Sequence, residues 1–290
     1  MEQAIGVDIG GTQTRVAAVG KGRILTRRVF PTRGIREVEE AIREVLVEAG
    51  WSEPTTIGVG APASIDMRGG RILGYPNLPH WEGVDVAQHL GRAFGCSVSL
   101  ANDATCAAIG ELAYGCRGRD FVYLTWSTGI GGGIVSKGQV VWGTSGQAGE
   151  IGHIVLQPDG PPCACGKRGC LEALAGGASL ARRAAEELGM ILSARQLVER
   201  APMDVAARGL VASACRALGQ GIAILWEILE PERIVLGGGL TRSWATLGPQ
   251  VLSAAREMAR VEPRLELTQL GDDAGLLGAA ALPSHLPPEW

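Results

Sequence analysis

Ala4 to Asp8 is a short apolar run that ends in a carboxylate, the pattern of a strand buried on both faces. Gly10 and Gly11 follow as a tight loop, Thr14 to Val19 reads as a second strand, and Lys21-Gly22 turns the chain into a third over Arg23 to Val29. The same layout returns later. Phe121 to Thr125 is a strand, Ser127 to Gly133 a glycine loop and Ile134-Val135 a strand, and Lys137-Gly138 turns into Gln139 to Trp142. An offset of 116 residues superimposes the two Lys-Gly turns, although the glycine loops then fall a few residues out of step. The pattern is that of an internal duplication: two α/β units, each opening with strand, glycine loop and hairpin.

Helical spacing separates these units. Val38, Ala41, Ile42, Val45, Leu46 and Ala49 recur on one face, as do Val86, Leu90, Ala93 and Phe94, and Asn102-Asp103 opens a helix carrying Ala107, Ile109 and Leu112. Ile57 to Gly60 and Ser97 to Leu100 read as short strands, so the first half alternates strand and helix. The polar, glycine-bearing stretch Gly115 to Asp120 is the best boundary. The second half predicts helices over Leu180 to Leu188, Val205 to Leu229 and Trp244 to Ala259, a strand over Arg233 to Leu236, and then Gly237-Gly238-Gly239.

The chain has 290 residues, enough for two domains or one large one, with 46% hydrophobic and 20% charged residues, as in soluble globular proteins. A net charge of -3 offers no basic excess for a phosphate backbone, so small metabolites are expected as partners and nucleic acid is not. Only three of the 27 basic residues are lysines, and no G-x-x-x-x-G-K-[ST] segment exists. Met1 to Val7 lacks the features of a signal peptide, and no uninterrupted apolar span reaches bilayer length, so a cytoplasmic protein without membrane contact is expected. The 43 glycines have no collagen period and must serve turns or close backbone approach.

Three groups of residues can carry chemistry. Asp8 followed by Gly10-Gly11-Thr12 brings a carboxylate, a hydroxyl and main-chain N–H groups to one place, either as a phosphate and Mg²⁺ loop or as a plain hairpin turn. A second such loop, Thr128-Gly129-Ile130-Gly131-Gly132-Gly133, and Gly238-Gly239 after a buried strand support the phosphate reading. His153 with Cys163, Cys165 and Cys170 supplies three thiolates and an imidazole, a closed four-ligand set suited to structural Zn²⁺; the alternative is a loop of reduced thiols. Such a metal would draw Glu150 and Glu172 to one region, an acceptor-rich pocket suited to sugar hydroxyls. Asn102 and Asp103 are also preferred helix caps. Cys96, Cys106, Cys116 and Cys215 read as core residues, and His80, His89 and His285 as surface or satisfied groups.

Together these stretches resemble the ROK family of sugar kinases and repressors, over nearly the whole chain. The match runs through Asp8-Ile9-Gly10-Gly11-Thr12, Gly58-Val59-Gly60-Ala61-Pro62, Pro76-Asn77-Leu78, Asn102-Asp103-Ala104, Thr128 to Gly133, Gly149-Glu150-Ile151-Gly152-His153, Cys163 to Glu172, and Leu236 to Gly239. The resemblance implies an α/β fold of the duplicated ribonuclease-H-like, actin-like ATPase type. It would have two lobes with an interlobe cleft: residues 1–115 with 274–290 as the small lobe, and 116–273 as the large lobe with the zinc loop. It implies phosphorylation of an aldohexose at its 6-hydroxyl by ATP with Mg²⁺. Asp103 would be the catalytic base. Asn77, Asn102, Glu150, His153 and Glu172 would bind the sugar, together with the loop of Ala63 and Ser64. Asp8, Gly10, Gly11, Thr12, Thr128 and Gly129 would surround the phosphates, Gly238 and Gly239 would lie near the adenosine, and relatives suggest a homodimer.

Three departures stand out. Ala63 replaces the usual Gly after Pro62, which widens the expected substrate from glucose to allose or N-acetylmannosamine; Ser127 stands for Gly; and Thr105-Cys106 stand for Asn-Ala. A repressor would place a helix-turn-helix ahead of the first strand, which here begins at Ala4. A silent sugar sensor is the remaining alternative, disfavoured by the presence of Asp103 and both phosphate loops.

Overall fold

The opening apolar run forms β1 (Ala4–Ile9), fully buried at Ile5, Val7 and Ile9 because sheet neighbours and helices cover both faces. It pairs antiparallel with β2 (Gln13–Gly20), which pairs antiparallel with β3 (Arg23–Pro31). On its other side β1 runs parallel to β4 (Thr56–Ala61), and β4 parallel to β7 (Ser97–Asn102). The short hairpin β5 (Ser64–Asp66) and β6 (Arg71–Gly74) lies between them in sequence. The first sheet therefore has the order β3-β2-β1-β4-β7. This computed structural model describes residues 3–74, 81–115 and 118–288.

The second sheet repeats the plan. Its strands β8 (Phe121–Trp126), β9 (Ile130–Ser136), β10 (Gln139–Val140), β11 (Arg233–Gly237) and β12 (Leu265–Leu267) are arranged β10-β9-β8-β11-β12. In each sheet a hairpin edge is followed by parallel strands. The two Lys-Gly turns adopt one conformation, with φ of 50° and 74° at Lys21-Gly22 and 54° and 76° at Lys137-Gly138. This is the duplicated ribonuclease-H-like, actin-like fold.

Helices α1 (Ile35–Ala49), α2 (Val86–Phe94), α3 (Asp103–Tyr114), α4 (Leu171–Ala175), α5 (Gly177–Leu188), α6 (Ala194–Arg200), α7 (Val205–Leu229), α8 (Trp244–Met258) and α9 (Ala274–Ala281) complete the fold. By internal packing the chain divides into one unit of Met1–Arg119, Gly133–Gly149 and Gln269–Trp290 and a second of Asp120–Gly132 and Glu150–Thr268. In the first, α9 packs on α3, β1 and β4. In the second, α7 packs on α8, α4, α5 and α6.

Three expectations become more definite. The glycine loop after β8 is shorter than the sequence suggests, because β9 already begins at Ile130. Gly132 and Gly133 are strand residues whose missing side chains make room for Ile151 in one case and Ala108 in the other. Second, α7 is long and apolar enough to span a bilayer although Arg208, Arg216 and Glu227 interrupt it, and 61% of its apolar window is buried against neighbouring helices. Third, His89 is partnered, with Nε2 2.9 Å from Glu39. Cys106 and Cys215 are buried, whereas Cys96 is half-exposed; Cys116 and His80 lie outside the described residues.

Candidate functional site

In the first unit the parallel strands β1, β4 and β7 end together. The register aligns Asp8 with Gly60, Gly60 with Ala101 and Ala61 with Asn102, so Asp8, the Ala61-Pro62-Ala63 turn and Asn102-Asp103 share one edge of the sheet. Asn102 caps α3, its Oδ1 accepting the Ala104 N–H at 2.9 Å, and Asp103 Oδ1 accepts the same N–H at 2.8 Å. Asn102 thus has the capping role that sequence alone allowed for both, and Asp103 is the acidic residue of the helix's first turn. Beneath this edge lies the buried thiol of Cys106, which burial holds well above its ordinary value and which the charges of Asp8 and Asp103 raise further. One sulfur therefore feels both carboxylates.

Asp8 has its own electrostatics. Burial raises its carboxyl above the ordinary 3.8, and Arg15 opposes that shift. Arg15 Nη1 lies 3.8 Å from Asp8 Oδ2 and donates to Asp272 O at 2.8 Å. Sequence reading missed Arg15; its alternation with buried Thr14 and Val16 on β2 was the available signal. Gly11 and Thr12 are exposed beside it. Ala63 is packed into the core and only Ser64 is exposed, so of this pair the serine offers a hydroxyl to solvent. Asn77 lies outside the described residues.

In the second unit a one-turn helix over Ile151–His153 carries His153. The imidazole has a different neighbour at each end: Nδ1 is 3.6 Å from Cys163 Sγ, and Nε2 is 3.8 Å from Glu150 Oε2. Cys163 and Cys165 lie in a tight turn closed by the Cys163 N–H donating to Lys167 O at 2.9 Å, with Gly166 at φ 87°. Cys165 Sγ is 3.7 Å from Cys170 Sγ, and the ligand atoms of His153, Cys163, Cys165 and Cys170 all lie within 4.8 Å of one another. Tetrahedral coordination with Zn–S near 2.3 Å and Zn–N near 2.0 Å puts ligand atoms about 3.5–3.8 Å apart, so the donor set fits such an ion. Burial pushes the Cys170 thiol up to about 12, and a bound cation must displace that proton. Were Nδ1 to bind such an ion, Nε2 would carry the hydrogen on the side that faces Glu150.

Glu172, in the first turn of α4, accepts the Ile130 N–H at 2.9 Å. Burial raises the carboxyl of Glu150; His153 opposes the shift and Glu172 adds to it. Glu150, His153 and Glu172 are thus one electrostatic group. The same region holds Thr128-Gly129, whose carbonyl side is fixed by the start of α5. Gly177 N–H donates to Ser127 O at 2.9 Å and Ala178 N–H to Thr128 O at 2.8 Å. In a planar trans peptide the N–H points opposite the C=O, so the N–H groups of Thr128 and Gly129 are turned away from α5.

Gly238, at φ 91°, follows β11, and a Cβ there would lie 2.6 Å from Trp126 O. Close approach to β8 explains that glycine by itself. Gly239 is more open, its nearest neighbour being Ser127 Oγ at 3.7 Å from a Cβ position.

The pattern that defines the ROK family matches residues 4–285. A glucokinase of Thermotoga maritima is 34% identical, with 96% of each chain covered. The crystal structure of a ROK hexokinase from Thermus thermophilus superposes with a TM-score of 0.88 at 38% identity, covering 96% of each chain. That of a ROK family glucokinase from Streptomyces griseus, in complex with glucose and AMPPNP, gives 0.80 at 30% identity, covering 97% of this chain and 98% of that one. With the family pattern matched from residue 4 to residue 285 and a relative 34% identical over nearly its full length, this chain belongs to the ROK family.

Proposed function

We propose that this chain is an ATP-dependent sugar kinase that phosphorylates an aldohexose, glucose or a close relative, at its 6-hydroxyl. The observation that carries the reading is the shared strand end of the first unit, where Asp103 after β7 and Asp8 with the Gly10-Gly11-Thr12 loop after β1 flank the end of β4. A carboxylate able to accept a hydroxyl proton and a loop able to hold phosphates are the two parts phosphoryl transfer needs most.

Asp103 would take the proton of the attacking sugar hydroxyl as the oxygen bonds to phosphorus and the diphosphate leaves. The N–H groups of Gly11, Thr12, Thr128 and Gly129 would hold the phosphates, and Asp8 would hold Mg²⁺, which supplies charge neutralisation when bound. Glu150 and Glu172 would accept hydrogen bonds from sugar hydroxyls, and Asn102 and the Nε2–H of His153 would add to them. Zn²⁺ held by His153, Cys163, Cys165 and Cys170 would keep the imidazole in the tautomer that donates from Nε2.

Phosphorylation of a panel of aldohexoses and amino sugars, with ATP and Mg²⁺ and scored by kcat/KM, tests the reading. Ala63 stands where Gly is expected after Pro62, with the exposed Ser64 next to it, so allose and N-acetylmannosamine belong in that panel. Transfer to at least one sugar is expected, and no transfer to any of them removes the proposal.

A further inference from the structure

The carbonyl of Gly10 is held by a hydroxyl from a distant part of the chain. Thr32, just after β3, donates its Oγ1–H to Gly10 O at 2.7 Å, and its N–H donates to Thr12 O at 3.0 Å. A threonine hydroxyl has one proton, so the 2.9 Å contact between Thr32 Oγ1 and Thr14 Oγ1 is donated by Thr14. Thr14 is fully buried. The relay runs one way, from Thr14 through Thr32 to the Gly10 carbonyl.

Because the peptide is planar and trans, fixing the Gly10 carbonyl toward Thr32 fixes the Gly11 N–H on the opposite side. That N–H has no acceptor among the described residues, and Gly11 is exposed. We infer that Thr32 is the positioning residue of the phosphate loop: it turns the Gly11 N–H outward to meet phosphate oxygens of the nucleotide. The inference rests on the reading of Asp8 to Thr12 as a phosphate loop. In the second unit the same task falls to main-chain N–H groups of Gly177 and Ala178, which fix the Ser127 and Thr128 carbonyls. In the first a side chain does it, so a single substitution can switch it off.

The test compares Thr32→Val, which keeps the shape and removes the hydroxyl, with Thr32→Ser, which keeps the hydroxyl. Titration with AMPPNP and Mg²⁺ should show Kd raised about 5- to 10-fold in Thr32→Val, the size expected for one hydrogen bond, and within about 2-fold of the parent in Thr32→Ser. Adenosine, which lacks phosphates, should bind all three chains alike, and the KM for sugar should not move. Thr32→Ala gives the same comparison should the valine variant fold poorly. Equal AMPPNP affinity in the parent and Thr32→Val overturns the role of Thr32 alone, as does an equal loss for adenosine. A parent chain that binds no AMPPNP removes the kinase reading and this role together.

Discussion

The carboxylate of Glu172 accepts the main-chain N–H of Ile130 at 2.9 Å, which ties the first turn of α4 to the start of β9. Gly129 lies directly under that carboxylate, and a Cβ there would overlap it. Gly129→Ala should therefore displace Glu172 and break the bond to Ile130. The carboxylate is the mobile end of a side chain and can move aside, so the cost is the lost charge-assisted hydrogen bond, about 1–3 kcal/mol; a lowered Tm and a sugar KM raised by roughly tenfold are expected. If melting and sugar-dependence curves stay unchanged, Glu172 is not held as described.

Asp103→Asn keeps the size and the capping oxygen of the side chain but removes the base. Sugar affinity should hold, while kcat falls by about 10²- to 10⁴-fold, the contribution of a positioned proton acceptor. Calorimetric sugar binding alongside a coupled ATP assay separates the two quantities. Turnover near that of the parent takes the proton-accepting role away from Asp103.

Loss of one thiol should abolish the metal site. Cys165 is the exposed member of the set, so Cys165→Ser should fold while losing bound zinc by elemental analysis, and sugar affinity should drop as His153 loses its anchor. Metal content equal to that of the parent would mean that the four side chains are not the ligands.

Asp8 is predicted to trade stability for function. A carboxyl raised above its ordinary 3.8 by burial keeps its proton in the folded chain to higher pH than in the unfolded chain. Stability from this group is accordingly greatest below pH 3.8 and declines as pH climbs through the raised value. Asp8→Asn removes that loss. The variant should melt above the parent at pH 7, with the gain shrinking toward pH 3.5, and it should bind Mg²⁺ and AMPPNP more weakly. A melting difference independent of pH refutes the assignment.

Much of the architecture could be read from apolar patterning because buried strands such as Ala4–Ile9 and long amphipathic helices such as Ile35–Ala49 carry strong periodic signals. Short elements such as Ser64–Asp66, Ala194–Arg200 and Leu265–Leu267 went unseen, since three to seven residues are too few to establish a period. Glycine runs were the ambiguous signal. Gly132 and Gly133 are small because helices and strands crowd them, Gly238 because β8 does, and Gly10 because the Gln13 carbonyl of its own turn does, whereas Gly11 is exposed. Cysteine spacing was more informative, because three thiols and an imidazole with ligand atoms within 4.8 Å are held by local turns alone. Thr32 was invisible and Arg15 was marked only by its alternation with Thr14 and Val16, since their roles depend on partners brought close by the sheet.

Helix α9 packs on β1 and β4, strands made more than 200 residues earlier on a chain of 290. During synthesis the strands nearest the N-terminus must wait on the ribosome until the whole second unit has emerged before their last covering helix arrives. The half-built sheet would meanwhile show the apolar surface that Leu276, Leu277 and Ala280 later hide, so early termination before residue 274 should yield a chaperone client instead of a smaller folded protein.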